Sequence, residues 1–100
     1  MEKYYAMKII VKYFAVIRDV VGHRDDVLDF FEETSAKRLL SMLCDMYGED
    51  FKRAVCSEDG SLRKGLIFLL NGEAVNNDDL ASKILMDGDV AAIMPPVGGG

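Results

Sequence analysis

Apolar and polar positions alternate near the start of the chain in a pattern that predicts two strands. β-branched and aromatic residues, which favour extended structure, dominate residues 8–15 and reappear over 25–31 after a polar interruption. We expect these two segments to form a hairpin with a long loop. The alternating side chains of the first segment are Ile9, Val11 and Tyr13 on one face and Ile10 and Phe14 on the other.

The pattern then changes to helical spacing between residues 35 and 47. Thr34 or Ser35 can cap the first free N–H groups of this helix, and Gly48 is expected to provide a left-handed stop. A further short helical turn is predicted over 49–56. The stripe expected to supply half of the core consists of Leu39, Leu43 and Met46.

The second half of the chain predicts a hairpin and a last strand. The apolar run 66–70 ends at Asn71-Gly72, the dipeptide that best accepts the two positive φ angles of a type I′ turn, and 73–75 would be the return strand. Asp87-Gly88-Asp89 then turns the chain into a strand over 90–94. The order of elements predicts an α+β fold, with a mixed four- to five-stranded sheet packed on one main helix, which suits the β-grasp topology.

One domain accounts for the whole length of 100 residues. We expect it to span 1–94, with 1–6 as a flexible extension and 95–100 as a flexible tail. Seventeen acidic against twelve basic residues give a net charge of -5, which disfavours nucleic acid as a partner. The excess of acid is interpreted as a solvated face, although it could also dock a basic protein. No apolar stretch is long enough for a membrane span, so a cytoplasmic location is expected.

Cysteine, histidine and aspartate offer little catalytic chemistry. Cys44 and Cys56 lack C-x-x-C spacing and His23 is the single histidine, so no metal site is expected. The two cysteines could pair in principle, but a reduced setting is the preferred interpretation because a chain of this size needs no disulfide. We assign His23 no role, and interpret the pairs Asp25-Asp26 and Asp78-Asp79 as solvated turn charges.

The C-terminal residues carry the main functional signal. Pro95 and Pro96 lack a donor N–H, so the strand ladder must end there, and Val97 followed by Gly98-Gly99 would form a thin, flexible approach to the carboxylate of Gly100. Transfer of AMP from ATP would activate this carboxylate for attack by sulfur or by an amine. The chain has no phosphate-binding loop, so a partner enzyme is expected to bind the ATP, and no cofactor is assigned to this chain.

Several motifs together resemble one family: the small subunit of molybdopterin synthase and its relatives among ubiquitin-like sulfur carriers and small archaeal modifier proteins. The resemblance covers nearly the whole chain. Its motifs are residues 11–15 with Arg18, the helix 35–48 ending in Tyr-Gly, Asn71-Gly72, residues 87–90, and Pro95-Pro96-Val97-Gly98-Gly99-Gly100. Gly98 is a mild departure, because relatives carry another small residue there.

The resemblance implies that Gly100 is adenylated by an E1-like enzyme and converted to a thiocarboxylate, and that the tail enters the large subunit of molybdopterin synthase. This chain would then be a carrier rather than an enzyme. Phe14, Arg18 and Met94 match partner-facing positions, although strand packing for Phe14 and Met94 and a solvated loop charge for Arg18 are the ordinary alternatives. Two other hypotheses remain: a modifier joined through Gly100 to target lysines, and a plain binding domain.

Overall fold

The computed structural model describes residues 6–95, which form three helices and a mixed sheet of five strands. The expected extension 1–6 and tail 95–100 lie outside this range except for Ala6 and Pro95. The α+β class is as predicted. In chain order the elements are β1 Met7–Tyr13, α1 Ala15–Val21, β2 Asp25–Phe30, α2 Ala36–Tyr47, α3 Glu49–Val55, β3 Ile67–Leu70, β4 Glu73–Val75 and β5 Val90–Met94.

The strands are arranged in the order β2-β1-β5-β3-β4, and one pair decides where the chain leaves the sheet. β1 and β5 run parallel at the centre, with Lys12 opposite Ala92 and Tyr13 opposite Ile93, whereas the other neighbours are antiparallel. Parallel neighbours end at the same edge of a sheet. The C-terminal end of β5 therefore lies beside the C-terminal end of β1.

The core lies between one face of the sheet and the helices. Every second residue of β1 is buried, and the register places the buried residues of β5 and β3 beside them. Helix α2 covers them with its apolar side. The buried residues that build this interface are Ile9, Val11, Tyr13, Phe68, Leu70, Ala91 and Ile93 of the sheet and Ala36, Leu39, Leu40 and Leu43 of α2.

A short helix, α1, occupies the segment that was predicted as the long loop of a hairpin. Strands β1 and β2 do pair antiparallel, but Arg18 lies in the helix and Phe14 caps its N-terminus instead of ending the strand. Only Ile17 of this seven-residue helix is buried. The segment therefore has no repeat of apolar positions at helical spacing from which the helix could have been predicted. Gly22 ends the helix with φ 93° and donates its N–H to the carbonyl of Arg18.

Helix α2 begins as predicted and ends differently. The Ser35 hydroxyl accepts the N–H of Arg38 at 3.1 Å, which confirms it as the cap. Met46, however, is 49% exposed, so its predicted place in the core was wrong. Residues four apart share a helix face, and the residue that continues the face of Leu39 and Leu43 is Tyr47. Gly48 has φ 83° and ψ -162°, a region open almost only to glycine, so it is not the left-handed stop that was expected. It separates α2 from α3, which confirms the helical turn predicted after it.

Two turn motifs from distant parts of the sequence form one hydrogen-bonded network. Asn71 and Gly72 have φ 52° and 84°, as predicted for a type I′ turn. The Asn71 amide donates to the Asp89 carboxylate at 2.9 Å and accepts the Val90 N–H at 2.9 Å. Asp89 also accepts the N–H of Met86 at 2.7 Å. The hairpin turn therefore fixes the start of β5.

Candidate functional site

The site begins where β5 ends at Met94, next to the end of β1 at Tyr13. Pro95 follows and has no N–H to donate, so the ladder between the strands stops there. The remaining tail residues, Pro96, Val97, Gly98, Gly99 and Gly100, lie outside the described residues. The parallel register of β1 and β5 fixes the edge of the sheet at which β5 ends and Pro95 follows.

Phe14 and Ala15 form a sharp bend at this end of the sheet. Phe14 has extended backbone angles, its side chain is 36% exposed, and its carbonyl accepts the N–H of Ile17 at 3.2 Å. Ala15 has φ 53°, which is rare for a residue with a Cβ and costs energy. This bend turns the chain from β1 into α1 within one residue and leaves the Phe14 ring at the surface.

A groove of about 270 Å³ lies beside the bend and brings two of the predicted site residues together. Phe14 and Arg18 both line it, together with Lys12, Arg24 and the exposed Asp25. Within residues 6–95, none of these three cations forms an ion pair with a carboxylate. With three cations against the one carboxylate of Asp25, the groove is net positive on a chain whose overall charge is -5. The prediction did not include Lys12 and Arg24, because they become neighbours only through β1 and the α1–β2 connection.

Met94 lies outside this groove, on the face of the sheet that points away from the helices. It pairs in register with Ile67 of β3, and both side chains are half-buried. We call this face the open face. Its other residues alternate along β1, β3 and β5 with buried core residues, and they include Ile10, Lys12, Leu69, Val90 and Ala92. The three predicted partner-contact residues therefore divide between two adjoining surfaces, and their contact with a partner stays a prediction.

A polar cluster behind the groove holds Tyr13 in place. The Tyr13 hydroxyl donates to the Asp26 carboxylate at 2.7 Å, and the Tyr47 hydroxyl donates to the same carboxylate. His23 Nε2 lies 2.8 Å from Asp26; a carboxylate only accepts, so this nitrogen carries the hydrogen. Asp26 is thus the acceptor that joins β1, β2 and α2. The interpretation of Asp26 as a solvated turn charge was wrong, because its alternation along β2 turns it inward.

The hydrogen bonds of this cluster shift the protonation of its members. Burial of Asp26 acts to raise its pKa, but donation from Tyr47, Tyr13 and His23 outweighs burial and holds the pKa of this carboxyl below its usual range. Burial and the neighbouring carboxylate raise the pKa of Tyr47 to about 12, and the same two causes raise the pKa of Tyr13. Both hydroxyls therefore stay protonated at neutral pH and remain donors.

Other kinds of site are not found in the part of the chain that the structure describes. No group of three or more His, Cys, Asp or Glu side chains among residues 6–95 is arranged to hold a metal ion. Over the same residues, no helix combines the length and the apolar character needed to cross a bilayer. The functional argument therefore rests on the groove and on the adjoining open face at the end of β5.

Comparison with known proteins gives a consistent result over nearly the full length. Residues 11–100 match the ThiS family. Small archaeal modifier protein 3 of Haloferax volcanii is 30% identical over 94 residues, which cover 94% of this chain and 100% of the relative. The molybdopterin synthase sulfur carrier subunit of Chlamydomonas reinhardtii is 32% identical over the same shares of the two chains.

The fold is shared with solved structures. The crystal structure of SAMP1 from Haloferax volcanii superimposes with a TM-score of 0.78 at 29% identity, covering 93% of this chain and 99% of that one. The predicted ubiquitin-like β-grasp fold is thereby confirmed. The family match also includes the tail residues, which lie outside the described range.

Proposed function

Because the chain belongs to the ThiS family, we propose that it is a ubiquitin-like sulfur carrier that acts through the carboxylate of Gly100. An E1-like enzyme adenylates this carboxylate and converts it to a thiocarboxylate, which donates sulfur in the synthesis of molybdopterin, the cofactor that holds molybdenum or tungsten. The name of the Chlamydomonas relative, a sulfur carrier subunit of molybdopterin synthase, supports this choice. The large synthase subunit is accordingly proposed as the second partner.

The proposed chemistry has two balanced steps. A carboxylate oxygen of Gly100 attacks the α-phosphorus of ATP, the bond to pyrophosphate breaks, and an acyl-adenylate forms. A sulfur nucleophile at the oxidation level of sulfide then attacks the carbonyl carbon and AMP leaves with the oxygen. The partner enzyme supplies the ATP site and the sulfur donor, and this chain supplies the acyl group.

The observation that carries the proposal is the position of Pro95 at the shared end of β1 and β5, beside the cationic groove. A tail that starts there can extend into a partner that is docked on the groove and on the open face. Lys12, Arg18 and Arg24 favour an acidic surface on that partner, while Phe14 and Met94 offer apolar contact. In this proposal Val97, Gly98 and Gly99 span the distance between the docked domain and the reacting carboxylate of Gly100.

A second function shares the same first step. If a lysine amine rather than sulfur attacks the adenylate or its thioester product, the chain becomes a protein modifier attached by an isopeptide bond. The similarity to small archaeal modifier protein 3 and to SAMP1 favours this alternative. We rank it after the carrier because the relative named as a sulfur carrier is 32% identical to this chain, against 30% for the relative named as a modifier.

Intact-mass analysis of the protein from its native cells distinguishes the two functions. We expect a fraction in which one oxygen is replaced by sulfur, and we expect this fraction to vanish when Gly100 is deleted. Replacing Gly60, in the turn between α3 and β3, by Asn is the control and should leave the modified fraction in place. Conjugates of higher mass without any thiocarboxylate would favour the modifier, and neither product in native cells would refute both functions.

A further inference from the structure

The two cysteines of the chain lie side by side across the junction of α2 and α3. Their Sγ atoms are 3.1 Å apart, within hydrogen-bond range for sulfur. Cys44 lies in the last turn of α2, and Cys56 caps the C-terminus of α3. Twelve positions separate them along the chain, and the bend at Gly48 between the helices brings them together.

Backbone hydrogen bonds hold both cysteines where they are. The carbonyl of Cys44 accepts the N–H of Gly48 at 2.8 Å, and the N–H of Cys56 donates to the carbonyl of Lys52 at 2.8 Å. Cys56 also forms an isolated antiparallel bridge with Leu62. The two helices and this bridge therefore fix the backbone positions of both cysteines, from which their side chains bring the sulfur atoms together.

The pair can be reached from solvent. A surface cavity of about 530 Å³ is lined by both cysteines and by neighbours that include Gly48, Lys52 and Gly60. Cys44 is half-buried and Cys56 is only 7% exposed. A small reagent would therefore meet Cys44 first, with the Cys56 thiol directly behind it.

We propose that Cys44 and Cys56 are a reversible dithiol–disulfide pair that ties α2 to α3 and is oxidised by a low-molecular-weight disulfide. In the first exchange the Cys44 thiolate attacks the reagent, its S–S bond breaks, and one reagent thiol leaves. In the second exchange the Cys56 thiolate attacks the mixed disulfide and the other reagent thiol leaves. The protein loses two hydrogens and two electrons, and the reagent is reduced to two thiols. The sulfur atoms need to approach by only about 1 Å.

The second exchange is favoured because the attacking thiol is already in place, whereas the reagent thiol must return from solution. The first exchange is slow at neutral pH. Burial, together with the hydrogen bond to Cys56, raises the pKa of the Cys44 thiol to about 12, and only the thiolate attacks. The charge of Lys52 partly opposes this shift. Neither the tail nor the cationic groove takes part in this chemistry.

The test treats the reduced full-length protein with hydroxyethyl disulfide at mildly alkaline pH, blocks remaining thiols with iodoacetamide and measures the intact mass. The expected product is a monomer that has lost two hydrogens and carries no alkyl group. Its melting temperature should exceed that of the reduced protein by on the order of 10 °C, because the cross-link restricts the unfolded chain. Dithiothreitol should reverse both changes.

Single variants provide the matched controls. Cys44→Ser and Cys56→Ala, checked for folding by circular dichroism, should carry a mixed disulfide or an alkyl group, and the oxidant should not raise their melting temperatures. Two alkylated thiols on the wild-type protein, a stable mixed disulfide, or a disulfide-linked dimer would each overturn the proposal. A disulfide that forms without any rise in melting temperature would overturn its role in tying the helices together.

Discussion

At the scale of single residues, Ala15 stands out because it occupies a backbone conformation that its Cβ disfavours. Its φ of 53° places it in the positive-φ region at the bend between β1 and α1, one residue from the Phe14 side chain at the candidate site. Such a conformation costs roughly 1–2 kcal/mol in a residue with a Cβ. Glycine avoids that cost, but ordering its more flexible backbone on folding costs about 0.5–1 kcal/mol more than ordering that of alanine.

Replacing Ala15 by Gly should therefore raise the free energy of unfolding by roughly 0.5 kcal/mol, the difference between these two effects. Urea denaturation at neutral pH measures it. The matched control is Ala54→Gly in α3, where φ is helical and the same substitution should lower the free energy of unfolding by about 1 kcal/mol. Equal losses in the two variants would show that Ala15 is not strained.

Asp26 is the second residue with an outsized role, because three donors converge on its carboxylate. Replacing it by Asn should lower the free energy of unfolding by roughly 1–3 kcal/mol at pH 7, since an amide is a weaker acceptor and its NH₂ group faces these donors. The folded pKa of Asp26 is lowered, so its stabilisation is present above the unfolded pKa of about 3.9 and is lost as pH falls through the folded value.

The measurement is urea denaturation of both proteins at pH 7 and at about pH 2.5, below the unfolded pKa. The gap between wild type and Asp26→Asn should narrow at the lower pH, because Asp26 of the unfolded wild-type chain is then protonated and folding to the charged carboxylate must release that proton. Asp25→Asn is the control, since the exposed neighbour should change the free energy of unfolding by less than about 0.5 kcal/mol at either pH. A gap that is constant with pH would mean that the charge of Asp26 does not stabilise the fold.

At the scale of secondary-structure elements, two helix ends depend on glycine for different reasons. Gly22 ends α1 with φ 93° and ψ 0°, a left-handed conformation that asparagine also tolerates. Gly48 joins α2 to α3 with ψ -162°, which residues with a Cβ hardly ever adopt. A Cβ added at either position would meet no atom within 4 Å beyond its chain neighbours, so backbone conformation and not crowding decides the cost.

We expect Gly48→Asn to lower the free energy of unfolding by about 2–3 kcal/mol and Gly22→Asn by about 1 kcal/mol or less. The two variants introduce the same side chain at a helix end, so each is the control of the other. Thermal and urea denaturation of both proteins measure the difference. If the two losses were equal, the distinction between the helix ends would be wrong.

At the scale of the whole molecule, charge is unevenly distributed. The net charge is -5, yet Lys12, Arg18 and Arg24 gather at the groove where the chain leaves the sheet. The overall charge repels an acidic partner at long range, whereas the net positive groove attracts it. The field can thus orient the partner before contact, which affects the rate of association more than the affinity.

Reversing the charge of Arg18 with Arg18→Glu should slow the proposed adenylation of Gly100 by an E1-like enzyme roughly 10-fold at low salt, and the effect should shrink as salt screens the charges. Stopped-flow or pyrophosphate-release kinetics at two salt concentrations measure it. Lys64→Glu makes the same charge change at an exposed position outside the groove, and we expect about a twofold effect at most. Equal slowing by both variants would remove the groove from the proposed function.

Local features of the sequence were enough to predict much of this protein. The alternation in β1, the Ser35 cap, the type I′ turn at Asn71-Gly72 and the end of the ladder at Pro95 each depend on a few neighbouring residues. Their conformations are limited by sterics and by hydrogen bonding within a few positions. Together with the tail motif they indicated the α+β fold and the family, while the role of Gly100 stays a prediction.

Only the tertiary structure decided what depends on contacts between distant residues. Helix α1 forms with a single buried residue, so packing against α3 and the sheet, rather than a periodic pattern, accounts for it. The cationic groove, the Asp26 cluster and the Cys44–Cys56 pair each join residues from different elements. The parallel register of β1 and β5 places the start of the tail beside the groove. It pairs residues that are 80 positions apart in the sequence, so it depends on the packing of the whole domain and not on local sequence.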